Sequence, residues 1–497
     1  MPLLKNLNIH GSQKVLIVVL VAFLTAAGFL VGLVPKTRAF RAHRMQAYLD
    51  TVKERRVNVV FITIDTIRQD RVSAYRKGAV KTPNLDAFFA RGVGFTNANT
   101  CVPITLPSHV SILTGFYPTF HGVRDNGLYA LRKTGITVTE ALRERGYSTA
   151  AFVSSFVLNK KFGLDKGFDV YDDDLSDSFL RQIEWNLSGN IYPGTYNGYE
   201  RRADEVTAAA SEWLDQNRQT PFFLWVHYYD PHAPYYAYNS DLSSIEKKTP
   251  PDEQRDASME SVLRESKDCY DTEVVFTDSW VGRLLDKIEA LDLSESTFVV
   301  IVGDHGESLG EHEYYFEHGA RLFDNILKVP LMLRLPYEGP NGIAIDSLVR
   351  TIDIVPTVYH LLGIRPSDAV HGKSLIPLIF RLSDDAPSES YAETLLPPRV
   401  GEHELRAFTT DRYKFIFAPA VNGYALYDLR NDPDETRNVL ELARENPEAY
   451  KKQYQPVLLE LKKRLEDVIR STGSGVPSII EAPDEETKKA LKALGYM

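Results

Sequence analysis

Two short apolar runs, far apart in the chain, each end on an aspartate. The first is Asn58-Val-Val-Phe-Ile-Thr-Ile-Asp65 and the second is Thr297-Phe-Val-Val-Ile-Val-Gly-Asp304. Both are rich in β-branched residues and apolar at odd and even positions alike. That is the pattern of strands buried on both faces, as in a mostly parallel sheet flanked by helices. Such a chain folds as an α/β layer structure, and in open sheets of this kind reactive groups gather outside the carboxyl ends of the strands. Asp65, Asp304 and the following His305 are therefore expected to converge. Segments near 84–91, 134–146, 203–216 and 269–291 read as helices between the strands, as crossovers require.

Thr105-Leu-Pro-Ser-His-Val-Ser-Ile-Leu-Thr-Gly115 supplies a fourth member. Pro107 suits the first turn of a helix and Gly115 suits its end. The Thr105 hydroxyl then lies at a helix N-terminus, where free N–H groups and the dipole favour an anion. A divalent metal beside it would lower its pKa and turn it into a nucleophile. Taken alone, a threonine at this place reads as a helix cap. In the middle of the chain, Pro221 to Tyr235 reads as a buried strand running into a turn, with Pro231 and Pro234 bracketing His232. Asp230 reads equally as a ligand for a second metal and as a cap of that turn. His227, inside the strand, reads as a satisfied core histidine.

Other stretches resemble the sulfatase-like branch of the alkaline phosphatase superfamily. They are Pro83-Asn84-Leu85-Asp86, Gly92-Val-Gly-Phe-Thr96, Leu113-Thr114-Gly115, Gly303-Asp304-His305-Gly306-Glu307 and Leu426-Tyr-Asp-Leu-Arg-Asn-Asp-Pro-Asp-Glu435, in the family's order. The resemblance covers roughly residues 57 to 440. It implies Asp65, Asp304 and His305 as metal ligands and Thr105 as both ligand and nucleophile. It also implies His232 at the substrate anion or leaving group, Asn126 as a donor to a non-bridging oxygen with Arg124 nearby, and His318 beside the anion. Family sulfatases carry Cys-x-Pro-x-Arg, or its serine form, and oxidise the first residue to formylglycine. Counted back from Leu113-Thr114-Gly115, that slot is Thr105, and the arginine slot is His109, which is thereby a candidate catalytic residue. Cys101-Val-Pro-Ile-Thr105 sits early and lacks the arginine. The family's Gly-Lys-x-His stretch is replaced by Ala151-Phe-Val-Ser-Ser-Phe156, and its paired aspartates by Asp65-Thr66.

These departures favour phosphoryl over sulfuryl chemistry. A threonine cannot become an aldehyde, and two sulfate-gripping side chains are absent. The expected substrates rank phosphodiester or phosphonate monoester first, sulfate monoester second and phosphate monoester last. A phospho-group transferase acting on lipid or glycan and a binding pseudoenzyme are the alternatives. Two carboxylates, an imidazole and a hydroxyl form a mixed N/O site that suits zinc or manganese better than calcium. The expected partners are small-molecule, lipid or glycan esters; a net charge of -10 argues against a nucleic-acid backbone.

Val15 to Val34 carries no charge and is long enough to span a bilayer. Val34-Pro-Lys-Thr-Arg38 offers no small-x-small cleavage site, so the run reads as a retained single-pass anchor. Basic residues after it would hold the main domain in the cytoplasm. The family resemblance implies the periplasmic side, and that is the placement expected. The sequence then divides into an N-terminal segment 1–14, an anchor 15–34 and a juxtamembrane linker 35–56. A catalytic domain 57–385, a C-terminal antiparallel-sheet subdomain 386–470 and a tail 471–497 follow. Cys101 and Cys269 cannot make a disulfide framework.

Overall fold

The computed structural model describes residues 38–175, 199–233, 235, 259–365, 370–382, 389–397, 401–473 and 484–493. At its centre is an eight-stranded sheet. In spatial order its strands are Ile343–Ile345, Val93–Phe95, Leu331–Arg334, Thr297–Gly303, Asn58–Ile64, Phe222–Tyr228, Ser148–Phe152 and Val170–Asp172. Every pairing is parallel except the two made by Leu331–Arg334. The three central strands are buried at every residue, as their two-sided apolar pattern requires.

Helices cover both faces. On one, Thr105–Thr114, Val138–Arg143 and Ile354–Leu362 pack Val110, Leu142 and Val355 against Phe61, Trp225 and Val300. On the other, Pro83–Ala90, Ala203–Asn217 and Met259–Ala290 pack Leu85, Ala210 and Val274 against Ile62, Leu224 and Ile301. Burial of this kind stabilises by about 25 cal/mol per Å² of apolar surface, which makes the two layers the main source of stability.

Residues 38–54 form a helix, but this is no free linker. Met45, Tyr48, Leu49 and Val52, at helical spacing, join the first core layer, and the Tyr48 hydroxyl donates to the Pro336 carbonyl (2.8 Å). The expected span Val15–Val34 lies outside the described residues. Among those described, no helix is long and apolar enough to cross a membrane.

The C-terminal part is a four-stranded antiparallel meander, Glu389–Thr394, Leu405–Thr410, Tyr413–Ala418 and Gly423–Asp428. Leu458, Leu461 and Leu465 of the Gln455–Thr472 helix lie on Phe408, Phe415 and Leu426. Two helices, Pro447–Gln453 and Gln455–Thr472, follow the sheet and are separated at Tyr454. Pro456, which has no N–H to give, sits in the first turn of the second.

Candidate active site

Sheet register builds the site. Ile64 pairs with Gly303 on one side and Tyr228 on the other. Asp65, Asp304 and the turn 229–232 therefore leave the sheet at one level. The Asp65 N–H donates to the Tyr228 carbonyl (2.9 Å) and the Asp304 N–H to that of Ile64 (3.3 Å). Ligand atoms of Asp65, Asp304 and His305 all lie within 4.8 Å of one another, and all three residues are buried.

Chemistry at this cluster is lopsided. Among the described residues, both Asp65 carboxylate oxygens and Oδ2 of Asp304 are buried without a hydrogen-bond partner. Oδ1 of Asp304 accepts the N–H groups of His305 (2.7 Å) and Thr66 (3.2 Å). Burial, then the charge of Asp65, holds the Asp304 carboxyl well above the usual range. For Asp65 burial pushes upward, but His227, His232 and His305 outweigh it and hold this carboxyl below its ordinary value. His305 donates from Nδ1 to the Gly306 carbonyl (3.0 Å), which leaves Nε2 as the ring's lone-pair nitrogen. Nε2 lies 3.4 Å from Asp304 Oδ2 and 3.6 Å from Asp65 Oδ1. Two buried carboxylates and an imidazole lone pair aimed at one point fit a divalent cation, which would satisfy the orphaned oxygens together.

Thr105 is the first residue of the Thr105–Thr114 helix, which ends on Gly115 at φ 73°. Its Oγ1 lies 3.4 Å from His305 Nε2. Asn126 reaches the same helix end, where its Oδ1 accepts the Leu106 N–H (2.8 Å). His109, in the arginine slot, points back into the sheet. Its Nδ1 donates to the Thr105 carbonyl (2.7 Å) and its Nε2 accepts from Thr63 Oγ1 (3.0 Å). Trp225 Nε1 donates to that hydroxyl (3.0 Å). Burial pushes His109 down to about 3. The neutral ring thus ties the Thr105 turn to the central strand, while its Nδ1 lies 3.6 Å from Asp304 Oδ2.

His318 stacks on His305 with ring centroids 4.4 Å apart, and His232 meets His318 edge to face at 5.0 Å. Burial lowers His318, but the Glu307 carboxylate 3.4 Å from Nδ1 outweighs it, so the net shift is upward. His232 is lowered, chiefly by burial, and donates from Nδ1 to the Ala233 carbonyl (2.6 Å). The sequence-predicted residues Asp65, Thr105, His232, Asp304, His305 and His318 thus gather together, with Asn126 at the start of the Thr105 helix and His109 a layer beneath. Arg124 turns away and forms a bidentate pair with Glu393 (both 2.7 Å). Asp230 caps the Ala203–Asn217 helix, accepting the Ala203 N–H (2.8 Å).

Sequence reasoning missed three features. His227 is no mere core histidine. It shares Thr63's level in the register, and its Nε2 lies 3.5 Å from Asp65 Oδ2. Ser154, in the stretch that replaces Gly-Lys-x-His, holds that ring through its N–H on Nδ1 (3.3 Å) and its hydroxyl on the His227 carbonyl (2.5 Å). Thr66 stands at φ 49°, a genuine outlier for a β-branched residue. Its N–H on Asp304 and the Tyr270 hydroxyl on its carbonyl (2.9 Å) hold it there. Backbone strain of this kind gathers at functional sites. The usable signal for His227 was its place near the carboxyl end of a central strand.

A buried Asp–Asp–His cluster at the carboxyl edge of a mostly parallel sheet, with a hydroxyl at a helix N-terminus beside it, defines a metal-dependent ester hydrolase. Residues 57–364 match the sulfatase family, and residues 310–471 match the C-terminal region of N-sulphoglucosamine sulphohydrolase. The chain belongs to the sulfatase family. An ulvan-active sulfatase of Formosa agariphila is 27% identical over 411 residues, covering 77% of each chain. An arylsulfatase of Clostridium perfringens is 24% identical over 469 residues, covering 82% of this chain and 94% of the relative. Among solved structures, the phosphonate monoester hydrolase of Agrobacterium radiobacter superposes with a TM-score of 0.67 at 21% identity, over 84% of this chain and 96% of that one.

Proposed function

We propose that the chain hydrolyses a singly charged tetrahedral ester, with a sulfate monoester on a glycan or small molecule as first substrate and Thr105 as nucleophile. The placement of Thr105 Oγ1 against the Asp65, Asp304 and His305 cluster carries this reading. The ulvan-active sulfatase and the arylsulfatase move sulfate ahead of the phosphoryl esters that the sequence ranked first. A phosphodiester or phosphonate monoester is the second reading, supported by a nucleophile that cannot become formylglycine and by the phosphonate monoester hydrolase fold match.

Asp65, Asp304 and His305 would hold a divalent cation, which would supply Lewis acidity and lower the pKa of a hydroxyl beside it. The imidazole among the ligands favours zinc or manganese over calcium. Thr105 Oγ forms a bond to sulfur as the bond from sulfur to the ester oxygen breaks. The Thr105 proton passes to solvent water, and the protonated imidazole of His318 or His232 gives its proton to the departing alcohol. Asn126 donates from Nδ2 to a non-bridging oxygen. Water then attacks the threonyl ester, releasing the oxyanion and restoring the hydroxyl. His109 positions the Thr105 turn from beneath. The apolar run 15–34 would tether this domain to a membrane, with the catalytic part on the periplasmic side.

The test is a set of aryl esters with one common leaving group: sulfate, phosphonate monoester, phosphodiester and phosphate monoester. The highest kcat/KM is expected for the sulfate. Highest kcat/KM for the phosphonate or diester would replace the first reading with the second, and no turnover of any would remove both.

A further inference from the structure

The end of the chain returns to the catalytic helix. The Glu485–Ala493 helix buries Ala490 and Leu491 completely, and both join the core layer that holds Leu106 and Val110. Thr487 is 4% exposed, and its hydroxyl accepts from Lys161 Nζ (2.8 Å). What Leu491 touches gives this docking its meaning. It packs on Gly127, the residue after Asn126, so closely that a Cβ there would meet Leu491 Cδ1 at 2.3 Å. Gly127 stands at φ 71°, so the absent side chain serves both the turn and the contact.

From Leu491 the links run inward without a gap. Gly127 follows Asn126, and Asn126 Oδ1 holds the Leu106 N–H at the start of the nucleophile helix. On the far side of the same loop, the Leu131 N–H donates to the Phe162 carbonyl (2.8 Å), in the turn that also carries Lys161. The loop is thus gripped at one end by the main domain and covered at Gly127 by the last helix.

We propose that the C-terminal helix is a buttress for the catalytic loop, and that Leu491 is a positioning residue that holds Asn126 against the Thr105 helix. The inference rests on the reading of Asn126 given above. A loop carrying a transition-state donor must be held to a fraction of an ångström, and a misplacement of about 1 Å costs on the order of a hundredfold in rate. Leu491 supplies apolar contact where Gly127 has no side chain to pack.

The experiment compares the full chain with Leu491→Ala, Leu491→Met, Asn126→Ala and the double variant Leu491→Ala/Asn126→Ala. Leu491→Ala is expected to lower kcat about tenfold or more with little change in KM, and Leu491→Met to recover most of it. In the Asn126→Ala background the Leu491 change should cost nothing further. Hydrogen exchange at the Leu106 amide should quicken in Leu491→Ala while exchange in the Phe222–Tyr228 strand stays slow. Additive losses in the double variant, or unchanged exchange at Leu106, would overturn the buttress. Wild-type turnover in Asn126→Ala would instead remove the catalytic reading of Asn126 and the rate effect with it. The exchange measurement then decides the mechanical link by itself.

Discussion

Two carboxylate clusters sit at different levels of this molecule, and they are built on opposite plans. Where the C-terminal sheet meets the main domain, Asp324 and Glu435 close on Lys414. The lysine is fully buried, bonds Asp324 directly and lies 2.8 Å from Glu435 Oε1. Glu435 Oε2 also accepts the Asp324 N–H (2.6 Å). The two aspartates of the active site have imidazoles and two backbone N–H groups beside them, and three of their four oxygens lack a partner among the described residues. A cluster that carries its own cation is a structural joint. A cluster that leaves buried acceptors unmatched is arranged for a cation from outside.

That contrast can be broken most severely at the nucleophile. Thr105→Ala should lower kcat by about 10³-fold or more while leaving the melting temperature near wild type, since the change removes the attacking oxygen and little packing. Retained turnover would move the nucleophile elsewhere. Next comes the pair of clusters themselves. Lys414→Met strands the buried Glu435 and the partly exposed Asp324 and should destabilise the fold by about 3 kcal/mol in denaturant unfolding. Asp304→Asn in metal-free protein should do the reverse at neutral pH and raise the midpoint, because it removes a charge that burial and Asp65 both oppose.

A smaller effect belongs to Asp230. Burial pushes its carboxyl up to about 6, from an ordinary 3.8. Between those values the folded chain keeps a proton that the unfolded chain has released. The group therefore favours folding at the acid end, and this contribution is lost as pH rises through about 6. Its ceiling is about 3 kcal/mol, from roughly two pKa units at 1.36 kcal/mol each. Asp230→Asn keeps an acceptor for Ala203, so thermal melts should show it gaining on wild type from pH 4 to pH 7. A constant difference across that range would contradict the assignment. Smallest is Thr66. Thr66→Gly relieves the positive φ and should stabilise metal-free protein by about 1 kcal/mol, with Thr66→Asn in between; no gain in Tm would show the turn to be unstrained.

Much of the site was legible because strand ends advertise it. Asp65 and Asp304 close runs that are apolar on both faces, and in a parallel sheet such ends share an edge. Thr105 and Asn126 were readable from motif order. His109 was assigned from its slot alone, and the slot says nothing of side-chain direction; one turn into the helix a ring can face the sheet as readily as the substrate. His227 was passed over because a histidine within an apolar strand is usually core. Only the register with Thr63 shows it reaching Asp65. The docking of the 38–54 helix on the core escaped notice because its arginines and lysines read as a solvated linker, although Met45, Leu49 and Val52 carry helical spacing. The docking of Leu491 onto Gly127 is a contact between distant segments, and no local pattern encodes it.

The central claim is that Asp65, Asp304 and His305 hold a divalent cation. Elemental analysis of chelated and reloaded protein, with thermal melts in zinc, manganese and calcium, tests it most directly. The account predicts one tightly held zinc or manganese per chain and a raised Tm, both lost in His305→Ala and unaffected by Cys101→Ser. Protein that takes up no cation, or whose bound cation is indifferent to His305→Ala, would contradict it.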